Sequence, residues 1–138
     1  AMKLIDRERI ASLLQEARTA PRRRTHYNLH ASTDEPINRL VVAASPETVV
    51  APHRHLDKFE LFTILAGKLT VYTYDDAGEV VAAYRLGEEV SAIEIPAGVW
   101  HNFVAETPCA ALEVKPGPYA PLTPEESAPF PGRRPESC

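Results

Sequence analysis

The sequence predicts an all-β protein, a double-stranded β-helix of the jelly-roll type that follows an N-terminal α-helix. From Ile37 onward, short β-prone runs alternate with turn residues at the intervals expected of a sandwich or barrel. Helical periodicity is confined to the segment before Pro21. With 138 residues, of which 44% are apolar and 25% are charged, the chain has the size and composition of one globular domain. A small barrel with one covering helix agrees with all three observations.

Composition and charge argue against several classes of function. The formal net charge of −4 gives no basic footprint for nucleic acid. The sequence has no apolar signal region and no run of about 18 apolar residues, so we expect a cytoplasmic protein with no membrane partner. Cys109 and Cys138 allow at most one disulfide, and the place of Cys138 in a Pro-rich tail argues against a structural bridge.

The first element is a helix, predicted from about Arg7 to Arg18. Asp6 is a good N-cap, and Ile5 with Ile10 can form a hydrophobic staple across it. Apolar residues recur at helical spacing on one face, and Pro21 ends the pattern. We assign this helix to packing on a sheet and not to chemistry.

The helix is followed by PRRRTHYNLHASTDEP, residues 21–36, which has no periodicity. In one interpretation it is a solvated connector whose arginines simply face water. In the other, taken up below, it covers the mouth of the barrel.

Short β-prone runs then predict the strands of the barrel. These are Arg39–Ala44, Thr48–His55, Glu60–Ala66, Leu69–Tyr74, Val80–Leu86, Ser91–Ile95, His101–Ala105 and Ala110–Lys115. Asp75-Asp76-Ala77-Gly78 has the composition of a hairpin turn, and eight strands suit a jelly roll. The Pro-rich segment after Pro116 is expected to wrap the barrel, with Tyr119 and Phe130 as anchors, and to end in disorder.

The stretch PHRHLDKFELFTILAG carries the chemistry. Because side chains alternate along a strand, His53 and His55 are expected to project from one face, together with Val49 and Ala51. Glu60 lies five residues past His55, so a turn must precede it. One metal ion could then be held by the two imidazoles and the carboxylate.

A fourth ligand is available in IPAGVWH, where Pro96 and Gly98 make a turn and His101 follows it. The patterns HxHxxxxExxxxxxG and PxGxxH resemble the two signature motifs of the cupins, small β-barrels in which three histidines and one glutamate hold a divalent metal. The matching residues are His53, His55, Glu60, Gly67, Pro96, Gly98 and His101. The chain departs from the family pattern at Val90, where Gly is usual, and at Ala105, where Asn is usual; neither position supplies a ligand.

A narrower resemblance extends over most of the chain. The segments KLID, PRRRTHYNLH, PHRH and EVKPGPY together are similar to the WbuC-type cupin fold metalloproteins, a family associated with bacterial O-antigen sugar gene clusters. The resemblance implies that Arg24, Asn28 and His30 lie over the barrel mouth, close to the metal, although His26 and His30 could instead be ordinary loop residues. The expected division is a helix and mouth-covering segment over residues 1–36, a cupin β-barrel over 37–121 and a Pro-rich tail over 122–138.

Three imidazoles and one carboxylate would hold one divalent metal ion and, in six-fold coordination, leave two positions for water or substrate. Open positions are typical of catalytic sites. The mixed nitrogen and oxygen donors suit Fe, Mn, Zn, Ni or Co, and affinity order does not choose among them.

Further residues are candidates for the pocket around the metal. Glu113 and His30 are candidates for a catalytic base, although no spacing selects either one. Glu113 and Lys115 share a strand face, where they either form a surface ion pair or line the mouth. The candidate substrate-binding residues are Arg24, Asn28, His30, Lys58, Phe62, Tyr72, Lys115 and Tyr119. Trp100 is expected to point away from His101, and Cys109 to be a small buried residue.

Three classes of function agree with these residues. The first is a metal-dependent isomerase or epimerase that acts on a sugar or sugar derivative in polysaccharide metabolism, as the resemblance implies, with the metal as Lewis acid. The second is an iron-dependent dioxygenase, and the third is a non-catalytic binder or sensor of a small carbohydrate. Leu61 and Leu65 leave a second strand face apolar, so we expect the helix or a second subunit of a homodimer to cover it.

Overall fold

The computed structural model describes residues 1–136 and shows one α-helix, two antiparallel sheets and a short 3-10 helix. The elements are α1 (Arg7–Thr19), β1 (Arg24–Asn28), β2 (Ile37–Ala44), β3 (Glu60–Ala66), β4 (Leu69–Tyr74), β5 (Val80–Leu86), β6 (Ala92–Ile95), β7 (Trp100–Ala105), β8 (Cys109–Pro116) and the 3-10 helix Pro124–Glu126. One sheet has the order β1-β2-β8-β3-β6, and the other has the order β5-β4-β7. The predicted fold class, a jelly roll with an N-terminal helix, is confirmed. Cys138 lies outside the described residues, and with it the expectation about a disulfide.

Helix α1 begins where the sequence predicts. The Asp6 carboxylate accepts a hydrogen bond of 2.9 Å from the Arg9 N–H, which satisfies one free donor of the first turn. Leu13 and Ala17 are buried against the outer face of the five-stranded sheet, over β1, β2 and β8. Leu65 on β3 remains partly exposed, so α1 leaves that part of the sheet uncovered. Within residues 1–136 no helix combines the length and apolar character that a bilayer span requires.

Gly67 and Gly78 adopt the left-handed backbone conformation, with φ of 73° and 87°. Gly78 lies in the predicted hairpin between β4 and β5, whereas Gly67 connects β3 to β4, which belong to different sheets, so no hairpin forms there. A Cβ at Gly67 would lie 2.1 Å from the Pro108 carbonyl oxygen. Only glycine fits there, both because of the positive φ and because of this close approach.

The main core lies between the two sheets. Leu69 and Val71 of β4 face Phe62 and Ile95 of the other sheet across it. The same four side chains also line a cavity that opens between the sheets. The apolar core is therefore the floor of this cavity.

Two predictions about the backbone are wrong. Thr48–His55 is not a strand, because His53 forms only isolated bridges, with His101 and Ser127, and Val49 is 39% exposed instead of facing the core. Arg24–Asn28, expected to lie in the connector, is the edge strand β1, paired antiparallel with β2. The apolar alternation that would have revealed β1 is missing because one of its faces lines a polar cavity.

The Pro-rich tail packs on the barrel. Phe130 lies between the rings of Tyr74 and Trp100, with centroid distances of 5.4 and 5.8 Å, so it serves as the expected anchor. Trp100 points away from its neighbour His101 and donates its indole N–H to Asp76 at 3.0 Å. Tyr119 is 57% exposed, so it is not a buried anchor and contributes instead to the wall of a cavity.

Candidate metal centre and adjoining cavities

Three imidazoles converge on one buried carboxylate. The Nε2 atoms of His55, His101 and His53 lie 2.8, 3.0 and 3.9 Å from the Oε1 atom of Glu60. Glu60 is only 3% exposed. The four side chains predicted as ligands are thus brought together, at one end of a cavity of about 210 Å³.

Different parts of the fold deliver the four side chains. Glu60 opens β3 in one sheet, and His101 is the second residue of β7 in the other. His53 and His55 lie on an irregular segment that is attached to β7 through two backbone hydrogen bonds of 2.9 Å between His53 and His101. The carbonyl of His55 accepts a further bond of 2.7 Å from the Gly98 N–H. The two imidazoles therefore reach one centre although their segment belongs to no sheet.

The hydrogen bonds of the rings determine which nitrogen is free. Nδ1 of His53 lies 3.0 Å from the Ala51 carbonyl oxygen, and Nδ1 of His101 lies 2.9 Å from the Val99 carbonyl oxygen. A carbonyl only accepts, so each Nδ1 carries a proton, and Nε2 of the neutral ring presents its lone pair to the centre. For His101 that lone pair faces the Glu60 carboxylate. Nε2 of His101 and Oε1 of Glu60 are then two acceptors in contact, unless a second proton or a cation lies between them.

The distances between the ligand atoms fit a divalent ion. With metal–ligand bonds of about 2.1 Å, two ligands at right angles lie about 3.0 Å apart, which matches the 2.8 and 3.0 Å separations of His55 and His101 from Glu60. The ligand atoms of His53, Glu60 and His101 all lie within 4.8 Å of one another. This cluster could hold a metal ion.

The pKa values of the cluster favour the ligating forms. Burial, and then the charge of His101, lowers the pKa of His53 to about 4, so this ring is neutral at neutral pH. Burial alone would raise the pKa of Glu60, but the imidazoles of His101 and His55 beside it outweigh burial and hold that pKa well below its usual range. A neutral imidazole and an ionised carboxylate are the forms that bind a metal.

Glu113 and Lys115 of β8 lie beside the cluster. Nζ of Lys115 is 2.9 Å from Oε2 of Glu113, which is 6% exposed, so the pair is buried at the cavity wall and not on the surface. Although Nζ is close, Oε2 has no donor in hydrogen-bonding geometry within residues 1–136. Burial raises the pKa of Glu113; Lys115 opposes this effect, and Glu60 adds to it. Burial by itself would lower the pKa of Lys115, but the negative charge of Glu113 outweighs burial, so the pKa of Lys115 is raised.

Four of the other predicted pocket residues lie in three different places. Phe62 and Tyr119 line the metal cavity. Lys58 lines a separate cavity, to which His55 also contributes. Tyr72 faces away from the cavity, because it follows the inward-facing Val71, and the Arg133 guanidinium lies 5.7 Å from its ring centroid. The expectation that Tyr72 lines the barrel interior is therefore wrong.

Arg24, Asn28 and His30 line a different cavity, of about 460 Å³, which adjoins the metal cavity. His30 is not among the converging imidazoles, because its Nδ1 accepts a hydrogen bond of 3.0 Å from the Arg39 N–H. His26 lies on β1, exposed at the edge of the same cavity. Neither His26 nor His30 is a metal ligand in this arrangement.

Asn102 is a residue of the site that the sequence did not reveal. Its side chain is 1% exposed and donates to the carbonyl oxygens of Val50 and Arg133, both at 2.9 Å. It also accepts a hydrogen bond of 2.7 Å from the Tyr74 hydroxyl. Asn102 thereby connects β7, the segment before His53 and the tail. In the sequence, only the neighbouring ligand His101 hints at a role for Asn102, because the hydrogen-bond partners of Asn102 are distant along the chain.

Known structures share this fold at low sequence identity. A conserved protein of unknown function, SPY1581 from Streptococcus pyogenes, is 21% identical with a TM-score of 0.61, and the match covers 87% of this chain and 91% of that one. A cupin-2 domain containing protein from Shewanella frigidimarina is 22% identical with a TM-score of 0.52, over 67% and 80% of the two chains. The capsular polysaccharide assembling protein CapF from Staphylococcus aureus is 19% identical with a TM-score of 0.57, over 75% of this chain and 29% of that one. The fold is that of the cupins.

A family model described as "Domain of unknown function (DUF6016)" matches residues 5–86, more than half of the chain. The matched range contains His53, His55 and Glu60, whereas His101 follows it. No curated protein matches the sequence.

Proposed function

Because the chain belongs to the family described as "Domain of unknown function (DUF6016)", which specifies no activity, we propose from its site a metal-dependent isomerase or epimerase of a sugar or sugar derivative. The observation that supports this function is the convergence of three imidazole Nε2 atoms on Oε1 of Glu60 at the end of a cavity. A divalent ion held by His53, His55, Glu60 and His101 would supply a Lewis acid that polarises a carbonyl or hydroxyl group.

The cavity walls suit a small ring that carries hydroxyl groups. Phe62, Phe103 and Tyr119 contribute aromatic side chains, and Glu113 and Lys115 contribute polar ones. Aromatic side chains pack against the apolar face of a sugar ring, while the few polar groups fix its orientation. The apolar floor keeps water away from the bound ring.

Isomerisation needs a group that moves a proton. Of the two candidate bases, Glu113 is favoured by position, because it lines the metal cavity together with the four candidate ligands. Lys115, 2.9 Å away, orients this carboxyl group. His30 is disfavoured, because its Nδ1 is occupied by the Arg39 N–H and its ring lines the other cavity.

Two observations favour polysaccharide metabolism of the O-antigen type as the setting. The chain resembles the WbuC-type cupins in several segments outside the metal-binding motifs, and one protein of similar fold is named as a capsular polysaccharide assembling protein. A homodimer remains a prediction, which a measurement of molar mass in solution checks.

Metal analysis of purified variants tests the ligand set. His53→Ala and His101→Ala should each reduce metal content to roughly a tenth or less, because each removes a donor that no neighbouring side chain replaces. His26→Ala, on the exposed edge of β1, should retain the metal of the unaltered chain. Equal metal content in all three variants would show that the ligand assignment is wrong.

A panel of sugars and sugar derivatives, assayed with Mn, Zn, Ni, Co and Fe in turn, tests the activity. Isomer formation that is lost in Glu113→Gln, at unchanged metal content, supports the proposal. Oxygen uptake with iron(II) would identify a dioxygenase instead. Saturable sugar binding without turnover under any of these metals would identify a binder or sensor.

A further inference from the structure

The cavity that adjoins the metal centre has a basic lining. Five basic side chains contribute to its wall: Arg22, Arg24, His26, His30 and Lys115. Among the described residues that line it, the one carboxylate is Glu113, which already has Lys115 at 2.9 Å. The cavity therefore carries an excess of positive charge, although the whole chain is acidic.

Strand alternation places this charge on one side of β1. Tyr27 packs in the core under α1, with the guanidinium of Arg9 4.3 Å from its ring centroid. Arg24, His26 and Asn28 have the opposite parity and face the cavity. The basic residues are thus held on a strand and not on a loop.

Protein carboxylates do not neutralise the two arginines. Within residues 1–136, neither Arg22 nor Arg24 forms an ion pair. Arg24 makes one hydrogen bond of 3.0 Å, to the Val49 carbonyl oxygen. Burial, followed by the positive charge of Arg22, lowers the pKa of Arg24, and burial, Arg22, Arg24 and Lys115 lower the pKa of His26. An anion bound among these side chains would relieve their mutual repulsion.

The basic cavity adjoins the metal cavity. Four residues line both: Phe103, Glu113, Lys115 and Tyr119. In the sheet, Asn28 pairs with Leu40, Leu40 with Glu113, and Glu113 with Phe62, so one row of cavity-facing residues runs across β1, β2, β8 and β3. At about 4.8 Å per strand, β1 and β3 lie about 14 Å apart. An elongated small molecule can therefore reach both Glu60 and β1.

We propose that the basic cavity binds the phosphoryl group of a phosphorylated substrate whose other end is held at the metal centre. The identity of that other end as a sugar rests on the proposed function, whereas the anion site does not. A phosphate monoester carries about −1.5 to −2 charges at neutral pH and matches two arginines better than a carboxylate does. Guanidinium groups also donate paired hydrogen bonds to phosphate oxygens.

The test uses the full chain in a buffer with a metal chelator, so that phosphate cannot bind through a metal ion. Inorganic phosphate and acetate are each titrated at constant ionic strength, and binding is followed by calorimetry. Phosphate should bind saturably and acetate about tenfold more weakly. Arg24→Gln should weaken phosphate binding about tenfold or more, because it removes a charge-assisted contact.

Arg23→Gln is the matched control. It removes the same charge one residue away, from a side chain that bonds the Arg18 carbonyl at the end of α1 and does not line the basic cavity. Its phosphate affinity should stay within about twofold of the unaltered chain. Thermal unfolding checks that both variants fold, and Arg22→Gln, at an exposed position, replaces Arg24→Gln if that variant does not.

Three results would overturn the inference: absence of phosphate binding, equal weakening by the two variants, or acetate binding as tight as phosphate binding. Glu60→Gln separates this inference from the proposed function. If that variant loses metal but binds phosphate as before, both proposals are supported. If phosphate binds while the unaltered chain takes up no metal, the anion site stands and the proposed function fails.

Discussion

Replacing Asn102 by Ala removes three buried hydrogen bonds at once. Its amide donates to the carbonyl oxygens of Val50 and Arg133 at 2.9 Å each, and its oxygen accepts from the Tyr74 hydroxyl at 2.7 Å. At about 1 kcal/mol for each hydrogen bond, the free energy of unfolding should fall by about 3 kcal/mol. A total stability of about 5–15 kcal/mol is usual for a domain, so this loss is large.

Urea unfolding measures this loss. The fluorescence of Trp100, the single tryptophan of the chain, reports on the barrel and on the tail that packs against it. The midpoint should fall while the dependence of the unfolding free energy on urea stays the same. Asn28→Ala is the control, since Asn28 is exposed on the edge strand, and its effect should be within about 0.5 kcal/mol. A loss below about 1 kcal/mol in Asn102→Ala would refute this account of the three bonds.

The same substitution should affect the metal centre without removing a ligand. The bond from Asn102 to the Val50 carbonyl holds the segment that carries His53, so its loss allows that imidazole to move away from Glu60. We expect metal affinity to fall about tenfold, as is typical when a group that supports a ligand is removed. Competition with a chromogenic chelator measures the metal affinity. Unchanged affinity would show that the backbone hydrogen bonds between His53 and His101 hold the His53 imidazole in place without Asn102.

Three further predictions concern single contacts. Burial raises the pKa of Cys109 from 9.0 to about 12, so above about pH 9 only the unfolded thiol loses its proton. Between about pH 9 and 10, the free energy of unfolding of Cys138→Ser, which keeps Cys109, should therefore fall by about 1 kcal/mol more than that of a chain that also carries Cys109→Ala. Urea unfolding at the two pH values measures this difference. His30→Ala should lower the unfolding free energy by about 2 kcal/mol, because the Arg39 N–H loses its partner, while metal analysis shows unchanged content. Asp6→Ala should lower the melting temperature, because the lost N-cap is worth about 1 kcal/mol.

Local signals explain which elements the sequence predicted well. The cap of α1 and the glycine of the hairpin between β4 and β5 lie within a few residues of the structure that they determine, so they can be identified without knowing the fold. The converging ligands are different, because Glu60 and His101 come from separate sheets. Their meeting was expected from the resemblance of two motifs to those of a known fold, and not from spacing.

The errors of prediction have a common physical cause. A strand is recognised by apolar alternation, which develops when one face meets a core. Arg24–Asn28 has one face on a polar cavity and therefore lacks the pattern, whereas Thr48–His55 has some alternation but makes its bonds to Asn102, His101 and the tail. These partners are distant in sequence. Nothing within the segment itself shows that it is irregular.

Strand β8 shows why core and site share one surface. Cys109, Ala111, Glu113 and Lys115 follow one another at intervals of two and face the same side of the sheet, so polarity rises along a single row from the core to the mouth of the cavity. Burying Glu113 and Lys115 carries a desolvation cost that apolar residues of similar size would avoid. Such departures from a well-packed interior are expected where a protein binds or transforms a ligand. The pair lies where the metal cavity meets the basic one, which is the position from which it can contact a substrate held in both.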